Sequence, residues 1–364
     1  MDIFDLIQEA DHEQVVFCHD DRSGLKSIIA IHDTTLGPAL GGTRMWPYRS
    51  TEEALIDVLR LSEGMTYKAA VAGLALGGGK SVIIGDPRTD KTEALLRAHG
   101  RFVDTLGGRY ITAEDVGITV EDMEHVYRET PYVTGIRSSP HGSGDPSPVT
   151  AYGVYWGIKA ACLHRLGNDA LKGVRIAVQG VGNVGFHLCE NLAEEGAVLT
   201  VTDIDPKRIE QTVEAFDAKP VDPDAIYDVD CDVFAPCALG AILNDGTIPR
   251  LRCRIVAGGA NNQLEEDRHG GSLAERRILY APDYVINAGG LINVYGELRG
   301  YDLETAKRMA REIYDTLLSI FRIADDEGIP TSQAADRLAR ERLRVARERV
   351  GADEPAWTVS AGRE

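Results

Sequence analysis

Apolar positions along the chain divide it into three stretches. In the first, Gln14–His19 and Lys26–Ile31 read as strands on either side of an Asp-Arg-Ser-Gly turn at 21–24. Ser50 to Met65 reads as a helix: Leu55, Val58, Leu59, Ser62 and Met65 share one face, and Ser50 with Glu53 fits a capping box. Ser81–Ile84 and Tyr110–Thr112 read as short strands next to loops.

Ser138–Pro148 is rich in Gly, Pro and Ser and contains no apolar residue, which marks a domain boundary. A helix is expected from about Thr150 to Leu166. The second stretch opens with the strand Val174–Gln179, a Gly-rich turn, a helix near 184–195 and the strand Val198–Thr202. Strand signals recur at Val233–Phe234, Ile255–Val256 and Tyr284–Ile286, the pattern of a doubly wound parallel sheet. The tail is helical. Ala306–Ala324 is amphipathic, and Ala334–Val350 carries alternating charge suited to a solvated face or a subunit contact. Following the second domain, this tail can fold back on the first.

The expectation is thus an α/β protein of two domains. Residues 1–137, completed by helices over 331–364, form one; residues 138–330 form a Rossmann-type domain. A chain of 364 residues is long enough for two cores. It has no run of ~20 apolar residues, so no membrane span is expected. The acidic N-terminus does not read as a signal peptide. A net charge of -18 makes nucleic acid an unfavourable partner. The six cysteines form no Cys-x-x-Cys pair and the histidines no His-x-x-x-His, so reduced cytoplasmic thiols and no structural metal are expected.

Candidate chemistry begins at Gly180-Val181-Gly182-Asn183-Val184-Gly185, between a strand and a helix. In that context the first glycine permits the turn, the second admits a pyrophosphate and the third packs helix on strand. The helix N-terminus offers N–H groups to phosphate. Asp203, at the end of the next strand, can bind a free ribose and would repel a 2′-phosphate, which favours NAD over NADP.

Gly77-Gly78-Gly79-Lys80-Ser81 resembles a phosphate-binding P-loop, but that motif needs a glycine where Leu74 stands. A different grouping fits better. Met65 and Lys68 lie one helical turn apart, Lys80 follows glycines that allow close approach to a ligand, and Asp115 follows a strand. Two lysines and a carboxylate suit an amino acid: one ammonium binds its carboxylate, and a desolvated second one acts as a base. On the residues alone, surface lysines on unrelated loops remain an equal alternative.

Long ordered blocks settle the choice by resemblance. AIHDTTLGPALGGTRMW, GMTYK, GLALGGGKSVIIGDP, GRYITAEDVG, SPVTAYGVYWG, VQGVGNVG, APCALGA, GGANNQL and YAPDYVINAGGLINV resemble the glutamate/leucine/phenylalanine/valine dehydrogenases, and within them the leucine type. The resemblance implies an NAD-dependent amino-acid dehydrogenase with its active site in a cleft between two domains, the first of which binds substrate and oligomerises. It gives Lys80 and Asp115 catalytic roles and Lys68 the substrate carboxylate. Gly41 and Gly42 edge the substrate site, and Thr150, Ala238 and Asn262 lie near the cofactor. It also implies a homo-oligomer, commonly an octamer, with the C-terminal helices as candidate contacts.

The implied side-chain pocket is Leu40, Met65, Ala113, Leu291 and Val294, all apolar. Glutamate-type members carry a lysine at the position of Leu40 and a serine near that of Val294, so glutamate is disfavoured. Ala113 follows the leucine pattern and Leu291 the phenylalanine pattern. The expected substrate is therefore a branched-chain L-amino acid such as leucine, valine or isoleucine, released as its 2-oxo acid and ammonia. Phenylalanine and a non-catalytic sensor of NAD or amino acid stand as alternatives.

Overall fold

The computed structural model describes residues 3–9, 11–136 and 142–350. Residues 1, 2 and 10, residues 137–141 at the start of the Gly/Pro/Ser stretch, and residues 351–364 of the tail lie outside them. The chain divides into two compact units, Met1–Gly144 with Glu297–Tyr301 and Ala339–Glu364, and Asp145–Gly296 with Asp302–Leu338.

The first unit is built on a mixed five-stranded sheet. After α1 (Ile3–Glu9) come β1 (Gln14–Asp20), β2 (Leu25–Asp33), β3 (Ala39–Trp46), α2 (Thr51–Val71), β4 (Gly77–Ile84), α3 (Glu93–Asp104), β5 (Tyr110–Glu114) and α4 (Val120–Tyr127). The strand order is β1-β2-β4-β3-β5. β2 runs antiparallel to β1 and β4, whereas β3 is parallel to β4 and β5. Strand side chains alternate between faces, so the sheet buries two apolar layers. Ile29, Ile31, Met45 and Ile83 pack with Leu95, Leu96 and Val103 of α3 and Met123 and Val126 of α4. Ile28, Ala30 and Val82 pack with Ala54, Leu55, Val58 and Leu59 of α2.

Three expectations for this unit change. β4 starts at Gly77 rather than Ser81, so the triple glycine is strand, in mid-sheet, and not a phosphate loop. The space beside those glycines is filled by protein, not held open for a ligand. A Cβ on Gly77 would lie 2.1 Å from the Asp33 carbonyl, one on Gly78 2.1 Å from the Thr66 amide nitrogen, and one on Gly79 2.7 Å from the Tyr110 ring. At α2 only half of the capping box forms: Ser50 accepts from the Glu53 amide, but the Glu53 carboxylate turns to Arg49. The reciprocal box is at α4, between Thr119 and Asp122.

The second unit contains α5 (Ser147–Leu166), β6 (Arg175–Gln179), α6 (Asn183–Glu194), β7 (Val198–Thr202), α7 (Pro206–Phe216), β8 (Lys219–Pro220), β9 (Val233–Pro236), β10 (Ile255–Val256), α8 (Arg268–Glu275) and β11 (Leu279–Tyr280). Its sheet, β11-β10-β9-β6-β7-β8, is parallel throughout, the Rossmann-type arrangement expected. Tyr284–Ile286 is not a strand. Pro282 ends the extended run, the Asp283 carboxylate accepts from the Gln263 and Tyr284 amides, and the chain turns into the short helix α9 (Asp283–Ile286). α10 (Gly289–Glu297) follows.

Ala306–Ala324 is two helices, α11 (Leu303–Arg311) and α12 (Ile313–Glu327). The break falls at Glu312, whose N–H turns back to the Met309 carbonyl. No proline or glycine marks it in the sequence. The last helix, α13 (Thr331–Val350), reaches the first unit beyond Leu338. There Arg342 donates to the Ala70 and Val71 carbonyls at the end of α2, and Arg347 pairs with buried Asp33 at 2.6 Å.

His99 of α3 lies fully buried among Ser27, Thr43 and Ser81. Burial pulls its imidazole from the usual 6.5 down to about 4. The folded value lies below the unfolded one. The stabilisation is therefore complete above pH 6.5 and is lost as pH falls toward 4, by about 3 kcal/mol at ~1.4 kcal/mol per pH unit. Thermal melts across this window should show a falling midpoint, and His99→Asn should flatten the fall. An equally steep decline in the variant would exclude His99 as its source.

Candidate active site

α2 and the strands beneath it assemble the first group of predicted residues. Lys80 follows the glycines of β4 and pairs in register with Ala30 of β2. Its Nζ lies 2.9 Å from Oδ2 of Asp115, which stands just past β5. The lysine side chain is 8% exposed and the carboxylate 23%. Burial lowers the Lys80 pKa, and the Arg44 charge adds to that, against the opposing pull of Asp115. Burial alone would raise Asp115. The Lys80 and Arg44 charges outweigh it and hold the carboxyl below its usual range. The lysine therefore gives up its proton more readily than a free lysine, and the carboxyl is harder to protonate than a free one.

Backbone packing sets the depth of this pair. Gly78 admits the Thr66 backbone of α2, and Gly41 admits the Gly79 carbonyl, 1.7 Å from where its Cβ would be. A Cβ on Gly42 would meet the Glu114 carbonyl at 2.4 Å and the Asp115 Cβ at 2.9 Å. The predicted glycine pair therefore makes room for the strands and for Asp115. On the other sheet face, Tyr110 donates to the Gly41 carbonyl at 2.7 Å, and Thr43 bonds both Ser81 and Thr112. This buried network anchors the residue next to Lys80. Met65 and Lys68 are partly buried on the C-terminal half of α2, Leu40 is buried on β3, and Ala113 is partly buried on β5.

Arg44 is a residue that the sequence reading missed. Its Nε donates to Asp115 Oδ2 at 3.0 Å, the same oxygen that holds Lys80, and its Nη1 donates to Asp57 at 2.9 Å. The available signal was its position on β3, two residues past Gly42 and on the opposite face from core residues Thr43 and Met45.

The second group lies in the second unit. Gly180 has φ +90°, and its N–H donates to the Thr202 carbonyl. A Cβ on Gly185 would sit 2.0 Å from the Gly180 carbonyl. Gly182, the N-cap of α6, has only the Arg208 guanidinium within 4 Å of such a Cβ, so the backbone there is open to a ligand. The Asp203 carboxylate accepts from the amides of Val181 and Asp205 at 2.8 and 2.9 Å. Val181 is buried, whereas Asn183 is exposed and Val184 half-buried. Ala238 packs on Gly180, a Cβ there lying 2.6 Å from the alanine's own. Asn262 is held in the left-handed region at φ +49°, and its carbonyl accepts from Ala241. Thr150 donates to the Pro146 carbonyl in the first turn of α5. Leu291 is buried and Val294 partly buried on α10. Two exposed apolar side chains add to the prediction: Ile204, 92% exposed, follows Asp203, and Leu239, 74% exposed, follows Ala238.

Residues 12–132 match the model for the Glu/Leu/Phe/Val dehydrogenase dimerisation domain. Residues 142–207 and 203–351 match that for glutamate/leucine/phenylalanine/valine dehydrogenase. The chain is 61% identical to leucine dehydrogenase of Geobacillus stearothermophilus, over 96% of this chain and 95% of that one. It is 50% identical to phenylalanine dehydrogenase of Caldalkalibacillus thermarum, over 98% of each. The crystal structure of L-tryptophan dehydrogenase from Nostoc punctiforme superposes with a TM-score of 0.87 at 52% identity, over 95% of this chain and 99% of that one. Both units and the residues that define each site fall within these matches, and the chain belongs to the glutamate/leucine/phenylalanine/valine dehydrogenase family, whose members are amino-acid oxidoreductases.

Proposed function

We propose that this chain catalyses the reversible, NAD-dependent oxidative deamination of an apolar L-amino acid, with leucine and its branched-chain relatives as substrates. In balance, amino acid, water and NAD⁺ give 2-oxo acid, ammonium, NADH and a proton of net release. The observation that carries this reading is the buried 2.9 Å contact between Lys80 and Asp115. A lysine made less basic by burial, beside a carboxylate kept ionised, is equipped to exchange protons with a substrate.

The division of roles follows from the chemistry of each group. Lys68 binds the substrate α-carboxylate as a point charge. Leu40, Met65 and Ala113 of the first unit take the side chain. In the second unit, the open backbone at Gly182 and the N-terminus of α6 suit a pyrophosphate, with Arg208 as a nearby cation. Asp203 suits an unphosphorylated ribose, and exposed Ile204 and Leu239 offer apolar surface to flat rings. Ala238, Thr150 and Asn262 complete the cofactor residues, and bound NAD supplies the acceptor for the α-hydrogen as hydride.

Once the α-carbon is oxidised to an iminium, Lys80 takes a proton from the water that adds to it. Asp115 moves protons to and from the nitrogen, and the carbinolamine then collapses to oxo acid and ammonia. The first unit is the proposed substrate and assembly module and the second the NAD module. The working form is a homo-oligomer, a reading supported by the dimerisation-domain match over residues 12–132.

A second reading, an aromatic substrate, is favoured by Leu291, which follows the phenylalanine pattern, and by the phenylalanine and tryptophan dehydrogenases among the relatives. A methylene in an apolar pocket alters kcat/KM by roughly 10–200-fold, so the two readings separate in a direct comparison. With leucine, valine, isoleucine, phenylalanine and tryptophan assayed side by side, the branched-chain set should lead. Leadership by an aromatic would transfer the assignment to the second reading. Glutamate should fall far below all five, because buried Leu40, 3% exposed, gives its carboxylate no partner.

Lys80→Ala should lower kcat by about 10²–10⁴-fold, the usual contribution of a positioned acid–base group. The wild-type profile of kcat/KM against pH should rise through a limb that lies below the ordinary lysine value of 10.5, because burial lowers the Lys80 pKa. Undiminished turnover in the variant would remove Lys80 from the chemistry.

A further inference from the structure

The carboxylate of Asp115 presents one oxygen, Oδ2, to two cations at once. Lys80 Nζ lies 2.9 Å from it and Arg44 Nε 3.0 Å. Arg44 is itself tethered. Its Nη1 pairs with Asp57 Oδ2 at 2.9 Å, and Asp57 also accepts from Tyr48 at 2.7 Å and from Arg60 at 3.2 Å. The guanidinium is planar and rigid, so two bonds made from adjacent nitrogens fix its plane. Anchoring at Asp57 of α2 therefore dictates where Nε points, and Nε points at the carboxylate of the proposed catalytic pair.

Arg44 also forms a wall. A surface cavity of ≈ 770 Å³ is lined by Arg44, Asp57, Tyr48, Trp46 and Val116 among others, but not by Asp115 or Lys80. The guanidinium thus borders that cavity while its Nε holds the Asp115 carboxylate. Its side chain is 19% exposed, so its charge acts on Asp115 with little screening.

We infer that Arg44, held by Asp57 and Tyr48, is a positioning residue that orients the Asp115 carboxylate and limits how tightly that carboxylate holds the Lys80 ammonium. This rests on the deaminase reading above. The charged groups that act most strongly on Lys80 are Asp115 past β5, Arg44 on β3 and Asp57 on α2, while Glu63 and Lys68 on α2, His32 and Asp33 on β2 and Glu114 on β5 also lie on the elements around it. Of these, Arg44 favours release of the Lys80 proton, whereas Asp115 and Asp57 oppose it. Removing Arg44 leaves both carboxylates acting on the lysine alone, which makes the lysine more basic.

The test is the pH profile of kcat/KM for leucine deamination by the full chain, in wild type, Arg44→Gln and Arg44→Lys. In Arg44→Gln the acid limb should move up by about one pH unit, within the usual range for loss of one close charge. Activity on the low-pH side then falls roughly tenfold more than on the alkaline plateau. Arg44→Lys keeps the charge but loses the fork, so its limb should stay near that of wild type while kcat falls several-fold. An unmoved limb in active Arg44→Gln would overturn the inference. Should that variant not fold, an Arg44→Lys enzyme equal to wild type in both kcat and limb would overturn it instead. Wild-type protein that reduces no NAD with any apolar L-amino acid defeats the deaminase reading itself, a result distinct from either.

Discussion

Helix α2 reaches the sheet because Gly78 has no side chain. A Cβ there would stand 2.1 Å from both the amide nitrogen and the hydroxyl of Thr66. That single approach sets the depth of everything near it. It brings the C-terminal half of α2, with Met65 and Lys68, down over β4, and it leaves Lys80 two residues further along the same strand in a site almost closed to water. Any larger residue at 78 would have to push α2 outward, rehydrate Lys80 and weaken its pairing with Asp115. Gly41 and Gly42 extend the same constraint sideways, since their missing side chains are occupied by the Gly79 and Glu114 carbonyls. The site is therefore made by backbones that lie closer than side chains allow, and its chemistry is a consequence of that burial.

The other face of the sheet supports this arrangement with polar contacts rather than with glycine. Tyr110, Thr43, Ser81, Thr112 and His99 form one buried hydrogen-bonded group. A satisfied buried network is rigid because each member loses its partner if another moves. Ser81 belongs to it and is the immediate neighbour of Lys80. The proposed catalytic lysine is consequently held from below by polar contacts and covered from above by α2.

Much of this is legible in the chain. The strand–turn–helix at Gly180–Gly185 is legible because strand, turn, helix and acid follow one another locally, and Gly185 answers to the carbonyl of nearby Gly180. The ends of α2 and α13 are less exact, since propensity does not register the Arg342 bonds that tie α13 to the last turn of α2. Tyr284–Ile286 reads wrongly as a strand because three apolar residues look alike in a strand and in a buried turn, and only the Asp283 contacts with Gln263 and Tyr284 decide between them. The triple glycine misleads for a deeper reason. Glycine announces close approach but not what approaches, and here it is Asp33, Thr66 and Tyr110 rather than a ligand. Arg44 escapes notice because its partners, Asp57 and Asp115, are remote in sequence and meet only when β3 is laid between α2 and β5.

In the proposed reaction the Lys80 amine is the base whose titration governs turnover. Making Lys80→Cys and alkylating the new thiol with bromoethylamine restores an amine of nearly the same length but lower basicity. This treatment should recover activity lost in the unalkylated Lys80→Cys variant and move the acid limb of kcat/KM to lower pH than in wild type. Recovered activity with the limb unmoved would show that another group titrates, and would contradict it.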